Sequence, residues 1–262
     1  MSLNQKSIET YGVQLHQSLI SRLPIDPITD SESVFSVEDA YKIQMQMISH
    51  RINNGDRVVG KKIGLTSKIV MQMLGVDQPD FGHLLGSMAF NESNPISITN
   101  FIAPKAEAEV AFMLGRDLTG PGITAADVLR ATEFVLPCFE IVDSRIKNWK
   151  IKIQDTIADN ASSGAFVLGG VKRKPQDLDL ALAGMVLEKN GEIIHTSTGA
   201  SVQGSPVNSV IWLANTLGRL GISLHAGEII LSGSQSPLVP VIAGDFLRCS
   251  VGGLGSASVR FN

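Results

Sequence analysis

The run FVLPCFEIV, residues 134–142, constrains the fold more than any other stretch of the sequence. It is apolar at both odd and even positions, so as a strand it leaves no face for water. A chain that contains it has to place packed layers on both sides of that strand. Glu140 interrupts the run, and its same-face neighbours are Leu136, Cys138 and Val142. A lone ionised carboxylate in that setting costs several kcal/mol unless it is paired or bound to a metal. Arg145 offers one kind of partner, and a metal ion offers the other.

A second stretch, APKAEAEVAF at 103–112, carries two more acids. Strand alternation turns Glu107 and Glu109 to one side, with Ala106, Ala108, Val110, Phe112 and Leu114 on the other. A solvated face of an antiparallel strand reads this way too, and Lys105 on the charged side suits it. Taken with Glu140, however, the chain offers three carboxylates and no clustered His or Cys. That donor set suits a hard divalent cation. Mg²⁺ or Mn²⁺ takes oxygen ligands at about 2.0 to 2.2 Å and keeps positions open for water or for a bidentate oxo-acid.

The rest of the chain supplies ordinary globular elements. Of 262 residues, 44% are hydrophobic and 18% charged, enough for one large domain or a large one with a small one attached. The net charge of −3 gives no footprint for nucleic acid or an anionic membrane surface. No stretch approaches the roughly 18 to 20 apolar residues of a membrane span. The N-terminal MSLNQKSIETYG lacks the basic start and apolar run of a signal peptide, so a cytoplasmic protein is expected. Cys138 and Cys249 stand apart in apolar surroundings and read as small buried hydrophobes, which excludes a thiolate zinc site.

Helical spacing of Ile8, Tyr11, Leu15 and Leu19 predicts a helix over 5–22, followed by a loop at 23–35. Ser36 with Asp39 resembles a capping box, and Ala40, Ile43, Met47 and Ile48 carry a helix toward Gly55; Met45 and Met47 read as core packing. RVVGKKIGL at 57–65 predicts a strand, and Ser67 to about Leu74 a short helix stopped by Gly75. Later, a short helix is expected at about 125–133, a hairpin around Asn190-Gly191, and a helix opened by Ser205-Pro206 and closed by Gly221. The resulting class is α+β: a small N-terminal part over 1–75 and a larger, strand-dominated part over 76–262.

Seven stretches share a resemblance in order along nearly the whole chain: GKKIGLTSK, QPDFGHL, PKAEAEVAF, PCFEIVDSRI, DTIADNASSG, GSPVNSVIWLAN and GEIILSG. They are similar to the 2-hydroxypenta-2,4-dienoate hydratases of aromatic meta-cleavage pathways, within the fumarylacetoacetate hydrolase superfamily. The resemblance implies a mixed β-roll-like catalytic domain with an Mg²⁺ or Mn²⁺ site on Glu107, Glu109 and Glu140. It implies a small 2-oxo or 2-hydroxy dienoic acid as substrate, hydrated to 4-hydroxy-2-oxopentanoate, and a homo-oligomer. A sister branch, the 4-oxalocrotonate decarboxylases, shares the same glutamate pattern. Decarboxylation of 2-oxohex-3-enedioate is therefore the alternative activity, and a complex with such a decarboxylase, or a non-catalytic role within one, is a further expectation. PDFG at 79–82, TSK at 66–68 and NWKIKIQDT at 148–156 are more similar to the hydratases.

Proton traffic in such a reaction needs an acid or base beside the carbon chain. Lys62 is the first candidate, since a lysine on an apolar strand near a cation has reason to carry a lowered pKa; its other reading is a surface lysine. Lys61 takes the opposite face of the strand. Asp80 either orients water or partners Lys62, or is an ordinary turn residue after Pro79. Asp159 is expected to shape the pocket with Asn160, while Ser162 and Ser234 hold substrate or serve loop geometry. Among the histidines only His83 lies near the expected site. No G-x-S-x-G elbow, P-loop or GxGxxG motif occurs.

Overall fold

The computed structural model describes residues 2–32, 35–67, 71–72 and 76–262. Two helices open the chain, α1 (Gln5–Ser21) and α3 (Val37–Asn53), with a single turn α2 (Ile28–Ser31) between them in the stretch expected to be loop. The Asn4 side chain caps α1 by accepting from the Ser7 N–H, and Ser36 caps α3 by accepting from the Asp39 N–H. Leu15, Ile43 and Met47 form their common core with Ile146 and Ile157. Met47 is buried there, whereas Met45 is largely exposed. The helix expected from Ser67 to about Leu74, with Gly75 behind it, falls mainly on residues outside those described.

The remaining elements build two sheets. The strands are β1 (Val58–Gly64), β2 (Asp80–Leu85), β3 (Ala89–Phe90), β4 (Lys105–Leu114), β5 (Thr132–Val142), β6 (Ser163–Leu168), β7 (Gly184–Lys189), β8 (Glu192–Thr198), β9 (Ile229–Leu231), β10 (Val239–Pro240), β11 (Phe246–Val251) and β12 (Gly255–Arg260). Between them lie α4 (Ala125–Ala131), α5 (Ile153–Ala158) and α6 (Pro206–Arg219). The large sheet runs β2-β1-β9-β4-β5-β6-β3, with β10 also on β4, and the small one runs β12-β11-β7-β8. The hairpin β7–β8 turns at Asn190 and Gly191, both at positive φ, as a two-residue turn of this type requires.

β5 is buried along nearly its whole length and lies between β4 and β6, as its two-sided apolar pattern demands. Val135, Phe139 and Ile141 pack with Ala108, Val110 and Phe112 of β4 against Leu187, Leu247, Cys249 and Val259 of the small sheet. Leu136 and Cys138 face the other way, toward Ala111, Phe166, Leu231 and Ile48 of α3. Both cysteines are free and buried. β1 precedes the boundary expected near residue 75, yet it is hydrogen-bonded on both sides into the large sheet, antiparallel to β2 and parallel to β9. The N-terminal segment therefore contributes a strand to the sheet that carries the acids.

Candidate functional site

The β4–β5 ladder sets Glu107 directly opposite Glu140 and Glu109 opposite Cys138, all on the face turned from the small sheet. One oxygen from each of the three glutamates lies within 4.8 Å of the others. Like charges placed opposite each other across two strands repel, so this face needs a cation. Glu109 and Glu140 are buried, at 2% and 0% exposure, and Glu109 Oε2 accepts the Gly233 N–H at 2.8 Å. Lys62 Nζ stands 3.3 Å from Glu140 Oε2 and donates to the Ala161 carbonyl at 2.9 Å. Burial first, then repulsion within the cluster, raises the pKa of Glu107 to about 7 and holds that of Glu109 well above the ordinary carboxylate range. Burial likewise raises Glu140, against the pull of Lys62.

Lys62 departs from expectation in the sign of its shift. Burial lowers its pKa, but Glu140, Asp80, Glu107 and Glu109 together outweigh burial and hold it above the usual lysine value. A strand can be read for its face, but the number of acids that gather opposite it comes from three separate strands, β2, β4 and β5. Arg145, the other cation considered for Glu140, is engaged elsewhere.

The cluster fits a divalent cation on its own chemistry. Three buried carboxylates, Asp80, Glu109 and Glu140, and the half-buried Glu107 meet one lysine, and neither Glu140 oxygen accepts a hydrogen bond of good geometry. The donors are all carboxylate oxygens, with no His or Cys ligand atom among them, as hard cations prefer.

A cavity of about 310 Å³ opens beside the acids. Glu107, Lys62 and Asp80 line its charged end, and Ser162, Ser234 and Thr66 bring hydroxyls. Val142, Trp149, Ile151 and Leu238 form an apolar wall. Asp80 enters β2 opposite Gly64, where a side chain on Gly64 would collide with its carboxylate. Its Oδ1 is buried with no hydrogen-bond partner, and burial raises its pKa against the pull of Lys62. Gly233, at φ 106°, is glycine for two reasons: the left-handed backbone, and Thr66, which a Cβ would strike. Its turn presents the N–H to Glu109 and leads into Ser234, whose hydroxyl donates to the Ser236 carbonyl at 2.7 Å.

The structure thus brings Lys62, Asp80, Ser162, Ser234 and the three glutamates together, and separates two other residues from them. Asp159, expected to shape the pocket, does not line the cavity. It is fully buried and turned to Arg145, whose Nε donates to its Oδ1 and whose N–H donates to its Oδ2 at 2.9 Å. His83 faces away from the cavity on the Lys61 side of the β1–β2 ladder, 3.0 Å from Gln44 Oε1, and burial and Lys61 lower its pKa to about 3. Lys61 is not a surface residue either; it is 5% exposed and pairs with Glu228 at 3.4 Å. Thr66, Trp149 and Thr156 also line the cavity without a reading from sequence beforehand. They lie within the stretches that carry the resemblance, but a single hydroxyl or indole has no pattern of its own.

The family model for the fumarylacetoacetate hydrolase C-terminal region matches residues 68–262. Over 260 residues, 98% of each chain, the sequence is 52% identical to a 2-hydroxyhexa-2,4-dienoate hydratase of Comamonas testosteroni. It is 54% identical to a 2-hydroxypent-2,4-dienoate hydratase of Pseudomonas putida, covering 84% of this chain and 100% of that one. Among solved structures, a 4-oxalocrotonate decarboxylase from Pseudomonas putida G7, complexed with magnesium and adipate, superposes with a TM-score of 0.96 at 34% identity, covering 100% and 99% of the two chains. A second structure of that decarboxylase holds calcium and acetate, at a TM-score of 0.95. The chain belongs to the fumarylacetoacetate hydrolase family, within its 2-hydroxypenta-2,4-dienoate hydratase group.

Proposed function

We propose that this protein is the hydratase that converts 2-hydroxypenta-2,4-dienoate into 4-hydroxy-2-oxopentanoate in aromatic meta-cleavage catabolism. The observation that carries the reading is the joining of Glu107, Glu109, Glu140, Lys62 and Asp80 at one end of a small cavity otherwise lined by hydroxyl-bearing and apolar side chains. Identities of 54% to a protein named 2-hydroxypent-2,4-dienoate hydratase and 49% to one named 2-keto-4-pentenoate hydratase support it. Mg²⁺ or Mn²⁺ on the three glutamates would supply Lewis acidity and positive charge for the oxygens of the acid's C1 and C2.

The chain's own groups do the rest. Lys62, held cationic by four acids, donates toward developing negative charge on the substrate oxygens. Asp80, with its unpartnered Oδ1, carries protons between the substrate and water. In ketonisation the enol O–H proton leaves, C5 gains a proton, and the product is a 2-oxo-3-enoate. Water then adds across C3 and C4, with hydroxyl at C4 and a proton at C3. Ser162 and Ser234 orient the substrate carboxylate, and Val142, Ile151 and Leu238 keep bulk water from the carbon chain. A homo-oligomer belongs to this proposal; the edge strand β8, with Ile193 and Ile194 exposed, supports it and light scattering tests it.

The test is ultraviolet monitoring of freshly generated 2-hydroxypenta-2,4-dienoate with added Mg²⁺ or Mn²⁺. Loss of dienol absorbance with formation of 4-hydroxy-2-oxopentanoate is the expected result. The likeness to the decarboxylase fold favours one competing reading, which predicts CO₂ release from 2-oxohex-3-enedioate and no hydration of the dienol. Absence of either turnover, with co-purification of a related decarboxylase, would instead mark a non-catalytic partner subunit.

A further inference from the structure

Three consecutive non-glycine residues, Asn160, Ala161 and Ser162, take left-handed backbone at φ 55°, 49° and 54°. L-residues avoid this region because Cβ crowds the neighbouring carbonyl, and runs of them do not persist unless their surroundings impose them. Nothing in the residue types favours it at Ala161. The surroundings do impose it, from two sides.

On one side stands the buried ion pair that the reaction itself leaves unused. Arg145 and Asp159 are both fully buried. The Arg145 side chain donates to Asp159 Oδ1, to the Asp159 carbonyl and, at 3.0 Å, to the Ser163 carbonyl, so one guanidinium grips the chain before and after the run. Asp159 Oδ2 accepts from the Arg145 N–H and from the Ser144 hydroxyl at 3.3 Å. On the other side, the Asn160 side chain grips β2: its Oδ1 accepts the His83 N–H at 2.7 Å and its Nδ2 donates to the His83 carbonyl at 2.9 Å. Gly82 completes the seat, since any Cβ there would collide with the Asn160 carbonyl, and Gly82 lies opposite Lys62 in the β1–β2 ladder.

The run so held presents two groups to the cavity. The Ala161 carbonyl accepts from Lys62 Nζ at 2.9 Å, and Ser162 lines the cavity wall. From this geometry we infer that Arg145, Asp159 and Asn160 are positioning residues: they fix a left-handed turn whose purpose is to aim Lys62 and Ser162 at the substrate. The inference rests on the hydratase reading for the chemistry that Lys62 and Ser162 serve, but not for the turn itself.

The experiment compares wild type with Asp159→Asn and Arg145→Lys, each alone and combined with Ala161→Gly, in steady-state kinetics on the dienol at saturating Mn²⁺. Asp159→Asn is expected to lose at least about tenfold in kcat, with KM and calorimetric Mn²⁺ affinity within about threefold of wild type. Glycine adopts left-handed backbone freely, so Ala161→Gly should restore a substantial part of that kcat. A role confined to stability would lower thermal stability but leave kcat per folded subunit intact, with nothing for glycine to rescue. Wild-type kcat in either folded single variant overturns the inference, as does a loss of kcat that glycine leaves unrestored and that Mn²⁺ binding shares. Where Asp159→Asn does not fold, Arg145→Lys, which keeps the charge and loses the fork, carries the same comparison. If wild type fails to hydrate the dienol, the functional reading falls while the turn is judged by crystallography. Displacement of the Ala161 carbonyl from Lys62 in Asp159→Asn is then the expected result, and an unmoved turn refutes it.

Discussion

Replacing Lys62 by methionine separates the energetic role of this lysine from its chemical one. Its Nζ lies 3.3 Å from Glu140 Oε2, with both side chains almost fully buried. At an effective dielectric constant of about 20, the pair is worth roughly 5 kcal/mol in gross Coulomb energy. Removing one partner of a buried pair typically costs about 3–5 kcal/mol, because the charge left behind stays uncompensated. For a chain of this size that corresponds to a fall in Tm of roughly 6–20 °C in the presence of a chelator. Mn²⁺ should recover more of that loss in Lys62→Met than it adds to wild type, since it supplies the charge the lysine supplied. At saturating Mn²⁺, kcat should still be down about 10²- to 10⁴-fold, the usual consequence of losing a positioned donor or acid. Lys61→Met is the comparison. It breaks a buried pair with Glu228 and costs stability too, but it faces away from the cavity, so kcat should persist. Differential scanning fluorimetry and the dienol assay read both quantities. Near-normal kcat in folded, Mn²⁺-saturated Lys62→Met would refute the placement of Lys62 in the chemistry.

Exhaustive chelation is expected to abolish turnover, with Mg²⁺ or Mn²⁺ restoring it; Glu140→Gln should cost more activity than Asp80→Asn in the same assay, since it removes a proposed metal ligand. In D₂O, product should carry deuterium at C5 as well as C3 by NMR, and a C5 free of solvent deuterium would contradict ketonisation before hydration. Metal binding should release protons near neutrality. Glu107 has its pKa raised to about 7 by burial and then by Glu140, so below pH 7 it is protonated and must lose that proton to bind a cation. Mn²⁺ affinity should therefore rise as pH increases from 6 to 8. In the presence of chelator the same raised pKa makes stability fall as pH rises from the unfolded-state value through 7, because the folded chain binds the proton more tightly. Calorimetry in buffers of different ionisation enthalpy measures the proton release, and none across this range would refute the assignment of Glu107.

What could be read in the sequence were the features that local physics enforces. Glu140 in a run apolar on both faces demanded a counter-charge, and the period of two on β4 placed Glu107 and Glu109 on one side. Caps at Ser36 and Ser205 and the Asn190-Gly191 turn marked their elements for the same reason. What could not be read depends on distant partners. Lys61 looks like a surface lysine until Glu228, 167 residues away, turns up beside it. Asp159 sits in ADNASSG, a stretch whose small polar residues suit a pocket loop as well as a buried anchor, and only Arg145 decides between them. The left-handed run at 160–162 left no trace, because its cause lies in Arg145, Asp159 and β2 and not in its own side chains.

The near-identity of fold between this chain and a 4-oxalocrotonate decarboxylase locates where their chemistries must part. Both reactions need a place to store negative charge at the carboxylate and C2 end of an oxo-acid, so a shared acidic cluster does not discriminate between them. The discriminating groups must lie along the rest of the substrate. A dienol with a short vinyl end asks only for apolar contact there, whereas a dicarboxylate carries a second charge that is costly to bury without a cation. In this chain the described lining residues include the apolar Val142, Trp149, Ile151 and Leu238, and Lys62 is the cation among them, already engaged with Glu140 and the Ala161 carbonyl. Proton delivery divides the two reactions as well. Hydration must place protons at C5 and C3, which calls for a carrier such as Asp80 beside the chain, while loss of CO₂ leaves its electron pair in the dienol and needs no proton on carbon. An apolar wall facing a cluster with one lysine and one unpartnered aspartate oxygen meets the needs of hydration at each of these points.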